Sequence, residues 1–155
     1  MKIIVVGIGQ SLRGDDAVGL EAVRLWQELH PDSAACVHVE LSELPGLALL
    51  DLLDGMDAAV IIDAVQSSVP AGAVICLGPD ELASFTPDAG SAHGWGVAET
   101  LSLGRSLSPA LTACRVTLIG IVGKNFSMGA GLSPEVREAL AKAVEIIEKE
   151  VQGLL

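Results

Sequence analysis

The chain predicts an α/β fold, a mostly parallel sheet sandwiched between two layers of helix. Three observations predict it. Short apolar runs alternate with stretches of helical periodicity from one end to the other. The runs at 3–6, 58–62 and 116–122 are continuously apolar, as strands buried on both faces are. Half of the 155 residues are apolar and the mean hydropathy is +0.54. A sheet covered on both faces accounts for that value, because every apolar run is far too short to span a bilayer. The length suits a single domain, 1–155, with one full core.

The first strand covers 3–6 and Ile8 and runs into Gly9. The chain then turns through 9–14 and delivers two adjacent carboxylates, Asp15 and Asp16, at the start of a helix over 17–29. Val18, Ala22, Leu25 and Leu29 recur there at spacings of three and four. His30-Pro31 ends that helix. A second strand is expected at 35–41, a short helix at 45–53 and a third buried strand at 57–65. A fourth, short strand at 73–77 follows the turn at 70–72. A loop with one helical turn fills 79–92, a helix falls within 94–107, and the last strand is 114–122. A glycine-rich loop at 124–132 leads to Ser133 as helix cap, with Pro134 in the first turn. Val136, Leu140, Val144, Ile147 and Val151 mark the core face of that final helix.

Net charge is −11, which argues against a nucleic-acid partner. For most of the twenty acids, keeping an apolar chain soluble is sufficient reason. Only Lys2 precedes the first apolar run and no small-residue cleavage site follows, so no secretory leader is expected. Cys36, Cys76 and Cys114 lie far apart in expected strands with no CxxC pair. They read as reduced core residues of a cytoplasmic protein.

A doubly wound sheet places its first strand between the second and the third, and ligands bind outside the carboxyl ends. That logic brings the acids after strand one to the same crevice as Asp63, which interrupts the run VIIDAV towards the end of strand three. One of Asp15 and Asp16 is expected to brace the turn and the other to face the crevice. A carboxylate interrupting an apolar strand is costly unless paired, hydrogen-bonded or metal-bound. His93 stands just before a helix, where a neutral imidazole is favoured and free to bind metal. His30, at a helix end, and His38, in mid-strand, are weaker candidates. Two carboxylates and an imidazole suit zinc, nickel, iron or manganese. A dinucleotide site is the rival: Gly7 and Gly9 follow a strand and Glu40 ends the next. However, Leu12 stands where the third glycine belongs, and Asp15 and Asp16 would repel a pyrophosphate. No GK[ST] or GxSxG occurs.

The opening VVGIGQSLRGDDAVG, the strand IIDAV, the segment SAHGWGVAETL and the run TLIGIVGKNFSMGAGLSPEV resemble the hydrogenase maturation endopeptidases. The matches fall in order over nearly the whole chain. The resemblance implies a three-layer α/β/α sandwich whose five-stranded, mostly parallel sheet has an antiparallel fourth strand. It implies removal of a carboxy-terminal extension from the large-subunit precursor of a nickel-iron hydrogenase. It assigns metal binding and the chemistry to Asp16, Asp63 and His93, with nickel presented by the substrate and zinc or cadmium as substitutes. Two departures stand out. Gln10 replaces the family asparagine, and Glu40-Leu41-Ser42-Glu43 replaces an Asp-Gly-Gly-Thr segment at the end of strand two. Either Glu40 replaces that acid with a longer reach, or the backbone differs there.

The leading expectation is therefore a cytoplasmic, monomeric endopeptidase with a hydrogenase precursor as partner and no membrane contact. A carboxylate would assist attack by water, and the loops at 79–92 and 124–132 would flank the substrate tail. A non-catalytic metal- or precursor-binding protein of the same fold ranks second, and a dinucleotide-dependent oxidoreductase third.

Overall fold

The computed structural model describes residues 1–44, 46–84 and 96–155. His93, Pro45 and the start of the helix expected from 94 lie outside the described residues. Five strands form one sheet in the order β2-β1-β3-β5-β4. They are β1 (Ile3–Ile8), β2 (His38–Ser42), β3 (Ala58–Val65), β4 (Val74–Leu77) and β5 (Arg115–Val122). All pairs are parallel except β4 with β5. The three central strands are largely apolar on both faces because helices cover both; Asp63 in β3 and Arg115 and Thr117 in β5 are the exceptions. Val5, Val60, Ile62, Ile119 and Ile121 face one helical layer, made of α1 (Val18–Leu29) and α6 (Pro134–Leu154). Ile4, Val6, Ala59, Ile61 and Leu118 face the other. That layer holds α3 (Ala48–Leu53), α4 (Pro79–Ala83) and α5 (Gly96–Leu107). The five strands, the place of β1 between β2 and β3, and the antiparallel β4 are those expected from the sequence and its resemblance.

Four local expectations are corrected. The chain does not run straight from His30 into strand two. Pro31 opens a one-turn helix, α2 (Pro31–Ala35), as proline does at a first helical position, and β2 begins only at His38. Cys36 therefore caps α2 and is exposed instead of buried in a strand, while Cys114 is buried and Cys76 half-buried. In α1 the buried face centres on Val18, Ala22, Val23 and Trp26, and Leu29 is 60% exposed. Trp26 takes the core position because its indole Nε1 donates to Glu148 Oε2 of α6 at 2.8 Å. Ser33 Oγ and Gln152 Nε2 donate to the other oxygen, at 2.8 and 3.0 Å. Finally, Ser133 occupies the N-cap of α6 but makes no capping bond from its side chain, which is used elsewhere.

No helix among the described residues is long and apolar enough to cross a membrane.

Candidate active site

The site is built where β1 ends. Gly9 lets the chain double back, since a Cβ there would stand 2.0 Å from the carbonyl oxygen of Asp16. Gly14 has φ of +57°, a conformation open to glycine, and starts a tight 3-10 turn, Gly14–Ala17. That turn carries Asp15 and Asp16 in opposite directions. Helix α1 then settles directly on the ends of β1 and β3. A Cβ at Gly19 would lie 2.3 Å from the Ile8 carbonyl and 2.4 Å from that of Ile62. The glycines that suggested a nucleotide loop therefore serve close approach of backbone to backbone.

Asp15 is wholly buried and braces the fold. Its Oδ2 accepts from the backbone N–H of Lys124 at 2.9 Å and of Asn125 at 3.0 Å, and from Ser133 Oγ at 2.6 Å. Its Oδ1 accepts from the Ser133 N–H at 2.7 Å. Burial is the largest influence on this carboxyl and opposes its charge. The hydrogen bonds from Ser133, Asn125 and Lys124 outweigh it and hold the pKa below the usual value. This is where the Ser133 hydroxyl goes. The expected division of labour between the two aspartates holds, although the turn that Asp15 braces is over a hundred residues away.

Asp16 faces the other way, into a cleft of about 360 Å³. Asp63 lines the same cleft from the end of β3, one residue beyond Ile62, which pairs with Gly7 of β1. Ile8, Gly9, Leu49 and Val97 form apolar walls around the two acids. Burial, then the negative charge of Asp16, pushes the Asp63 carboxyl up to about 7. Asp16 is also raised, by burial, with Arg13 and a hydrogen bond from the Gln10 backbone pulling the other way. Two like charges forced together at the mouth of an apolar cleft favour either a shared proton or a cation between them.

Of the three residues the sequence singled out, the structure thus brings Asp16 and Asp63 together, and His93 lies outside the described residues. Among those described, no three histidine, cysteine or acidic side chains stand close enough to hold a metal ion. Glu40 is not the acid at the end of strand two. It pairs with Val6 in mid-strand, and β2 continues to Ser42. Glu43, just past that end, lines the cleft instead, together with Gln10 and Arg13. The sequence held the signal for Glu43 in the rule that ligands gather at carboxyl strand ends. Reading strand two as 35–41 left Glu40 inside that end and Glu43 beyond it. The other two histidines lie elsewhere: His30 Nδ1 is 3.6 Å from Glu148 Oε1, and His38 is exposed at the start of β2.

Residues 44–150, more than half of the chain, match the family model described as hydrogenase maturation protease (HycI). The chain belongs to the hydrogenase maturation protease family. It is 28% identical over 150 residues to the hydrogenase 2 maturation protease of Escherichia coli K12, covering 94% of this chain and 87% of that one. Among solved structures, it is similar to the [NiFe] hydrogenase maturation protease HybD of Thermococcus kodakarensis. The TM-score is 0.72 at 31% identity, over 97% of this chain and 99% of that one. The solution structure of an Escherichia coli endopeptidase superposes with a TM-score of 0.76 at 26% identity, over 95% and 90% of the two chains. This member of the hydrogenase maturation proteases is thus an enzyme of a peptide-cutting class, with the mixed five-stranded sheet that the resemblance implied.

Proposed function

We propose that this protease removes a carboxy-terminal extension from the large-subunit precursor of a nickel-iron hydrogenase after nickel has been inserted, and that Asp16, Asp63 and His93 grip the nickel the substrate presents. The observation that carries the reading is the pairing of Asp16 with Asp63 in one apolar-walled cleft of a family protease. The pair supports a cation-seeking site because neither carboxylate has an arginine or lysine in salt-bridge contact among the described residues. A divalent ion between them would relieve their repulsion and polarise a nearby carbonyl. Oxygen donors of this kind accept zinc or cadmium as well as nickel once an imidazole completes the set.

The chain's own contribution is positioning and proton handling. Asp15 fixes the turn, so that Asp16 enters the cleft at one angle. In the metal-free protein, burial and the charge of Asp16 hold the Asp63 carboxyl near neutrality, so uptake of a divalent ion by the pair would release a proton. The loop at 124–132 is tied to the site through Asp15 and through the Gly129 N–H, which donates to the Leu12 carbonyl at 2.7 Å. It would flank the bound tail. The reaction belongs in the cytoplasm and needs a single copy of this chain.

The test is incubation of purified protein with a nickel-loaded and a nickel-free precursor, followed by mass spectrometry. Loss of a short carboxy-terminal peptide is expected only from the loaded form. Asp16→Ala, Asp63→Ala and His93→Ala are each expected to slow it by at least about a hundredfold. A normal rate in any of the three overturns that residue's assignment. No cleavage by the unaltered chain would leave it a precursor- or metal-binding protein.

A further inference from the structure

A second cavity, of about 420 Å³, opens at the amino end of β5, away from the candidate active site. Asp63 stands opposite Gly120, late in β5, whereas this cavity takes Arg115 and Thr117 from the start of that strand. Cys76 of β4, Glu81 of α4, and Lys149, Glu150 and the last turn of α6 line the rest. The volume falls in the lower part of the range for small-molecule sites, about 300–1,000 Å³.

Two cations, Arg115 and Lys149, and two anions, Glu81 and Glu150, line the cavity, so their formal charges cancel in a chain of net charge −11. None of the four is in salt-bridge contact with a described residue. Charges of both signs therefore face one space without neutralising each other. The last turn of α6 adds carbonyls that lack helical donors and favour a cationic group. Thr117 is buried and polar on a strand whose next residues are apolar, and its hydroxyl bonds to no other described residue. Between these groups the wall is uncharged. Burial pushes the Cys76 thiol up, and the charges of Glu150 and Glu81 push it further, against Lys149. Cys76 thus remains a neutral thiol beside Leu154.

We infer that this cavity binds a free α-amino acid with an aliphatic side chain. Arg115 and the Thr117 hydroxyl hold its carboxylate, Glu150 and the α6 carbonyls hold its ammonium group, and Cys76 and Leu154 face its side chain. The guest needs both charges, because the cavity offers both signs and favours neither. No step of the proposed cleavage passes through this site.

The experiment is an amide NMR titration of the isotopically labelled, metal-free chain with L-leucine and with L-valine. Isocaproate and isoamylamine, which each keep only one of the charges of leucine, are the comparison probes. The amino acids are expected to shift the amides of Cys76, Thr117 and Gly153 saturably and to leave those of Asp16 and Asp63 unmoved. Each single-charge probe should bind at least about tenfold more weakly, the loss expected when a charged hydrogen bond goes unmade. Arg115→Gln and Glu150→Gln each remove one charge from a side chain in no salt bridge among the described residues. Both should keep the unaltered melting temperature and lose a similar factor in affinity. No saturable shift at these amides with either amino acid, equal binding of isocaproate or isoamylamine, or unaltered affinity in both variants overturns this inference. Neither precursor nor nickel is present, so each of those results leaves the protease reading as it stands.

Discussion

Asp63 and Asp15 show how one residue type, in two environments, is driven in opposite directions. Asp63 has a folded-state pKa near 7 against an ordinary value of 3.8. The folded chain therefore holds its proton more tightly than the unfolded one, and this carboxyl costs stability as pH rises from about 4 to 7. Asp63→Asn removes the cost. It should raise the melting temperature of the metal-free protein at pH 8, by at most about 4 kcal/mol of stability. The gain should vanish near pH 4, and thermal melts at the two pH values check it. Asp15 has the opposite sign. Its pKa is lowered, so its stabilisation is present above about 4 and is lost as pH falls through the depressed value. Asp15→Asn should cost roughly 3 kcal/mol or more at pH 7, since several charge-assisted bonds are replaced by a group that also donates. Its acid-denaturation curve should be flatter. That one of the adjacent aspartates braces and the other faces the cleft was legible in the sequence. That the brace reaches the loop before α6 was not, because side-chain bonds across more than a hundred positions leave no trace in spacing.

Among the elements, α1 is held in two places by features that periodicity reads badly. At its start, Gly19 lies against the carbonyls of Ile8 and Ile62. Glycine to alanine in a helix ordinarily stabilises by up to about 1 kcal/mol. Here the sign should reverse, because the methyl group must push backbone away from backbone. Gly19→Ala is expected to cost roughly 2 kcal/mol in urea unfolding and to slow cleavage by widening the floor of the cleft. At its end, Trp26 and Ser33 of the neighbouring α2 both rest on Glu148. Glu148, which the core stripe of α6 does not include, is the anchor between three helices. Glu148→Ala should destabilise by about 1–3 kcal/mol, since Trp26, Ser33 and Gln152 lose their acceptor, with activity per folded molecule unchanged. The place of β1 between β2 and β3, and the buried character of β1, β3 and β5, were legible, because continuous apolar runs and alternation with helices dictate both. The start of β2 was not, because 35–37 are apolar enough for a strand while Pro31 imposes a helical turn first.

For the molecule as a whole, topology does most of the work of assembling the site. Placing β1 between β2 and β3 sends the turns after β1 and β2 and the end of β3 to one rim. Asp16, Glu43 and Asp63 converge there although they are scattered through the first half of the chain. The surface is strongly acidic, with a net charge of −11. Self-repulsion of that size opposes the compact state and is screened by salt. Raising sodium chloride from about 10 to 300 mM at pH 8 should therefore raise the melting temperature by a few degrees. The shift should be much smaller near pH 4.5, the isoelectric value.

The bonds from Asp15 to Lys124, Asn125 and Ser133 have a consequence for timing on the ribosome. The candidate site's first edge is translated more than a hundred residues before its clasp. A nascent chain stalled before Ser133 has emerged carries both aspartates without the scaffold that separates their roles. Asp15 is thus expected to find its partners, and to set Asp16 apart in the cleft, only after residues 124–133 have been made.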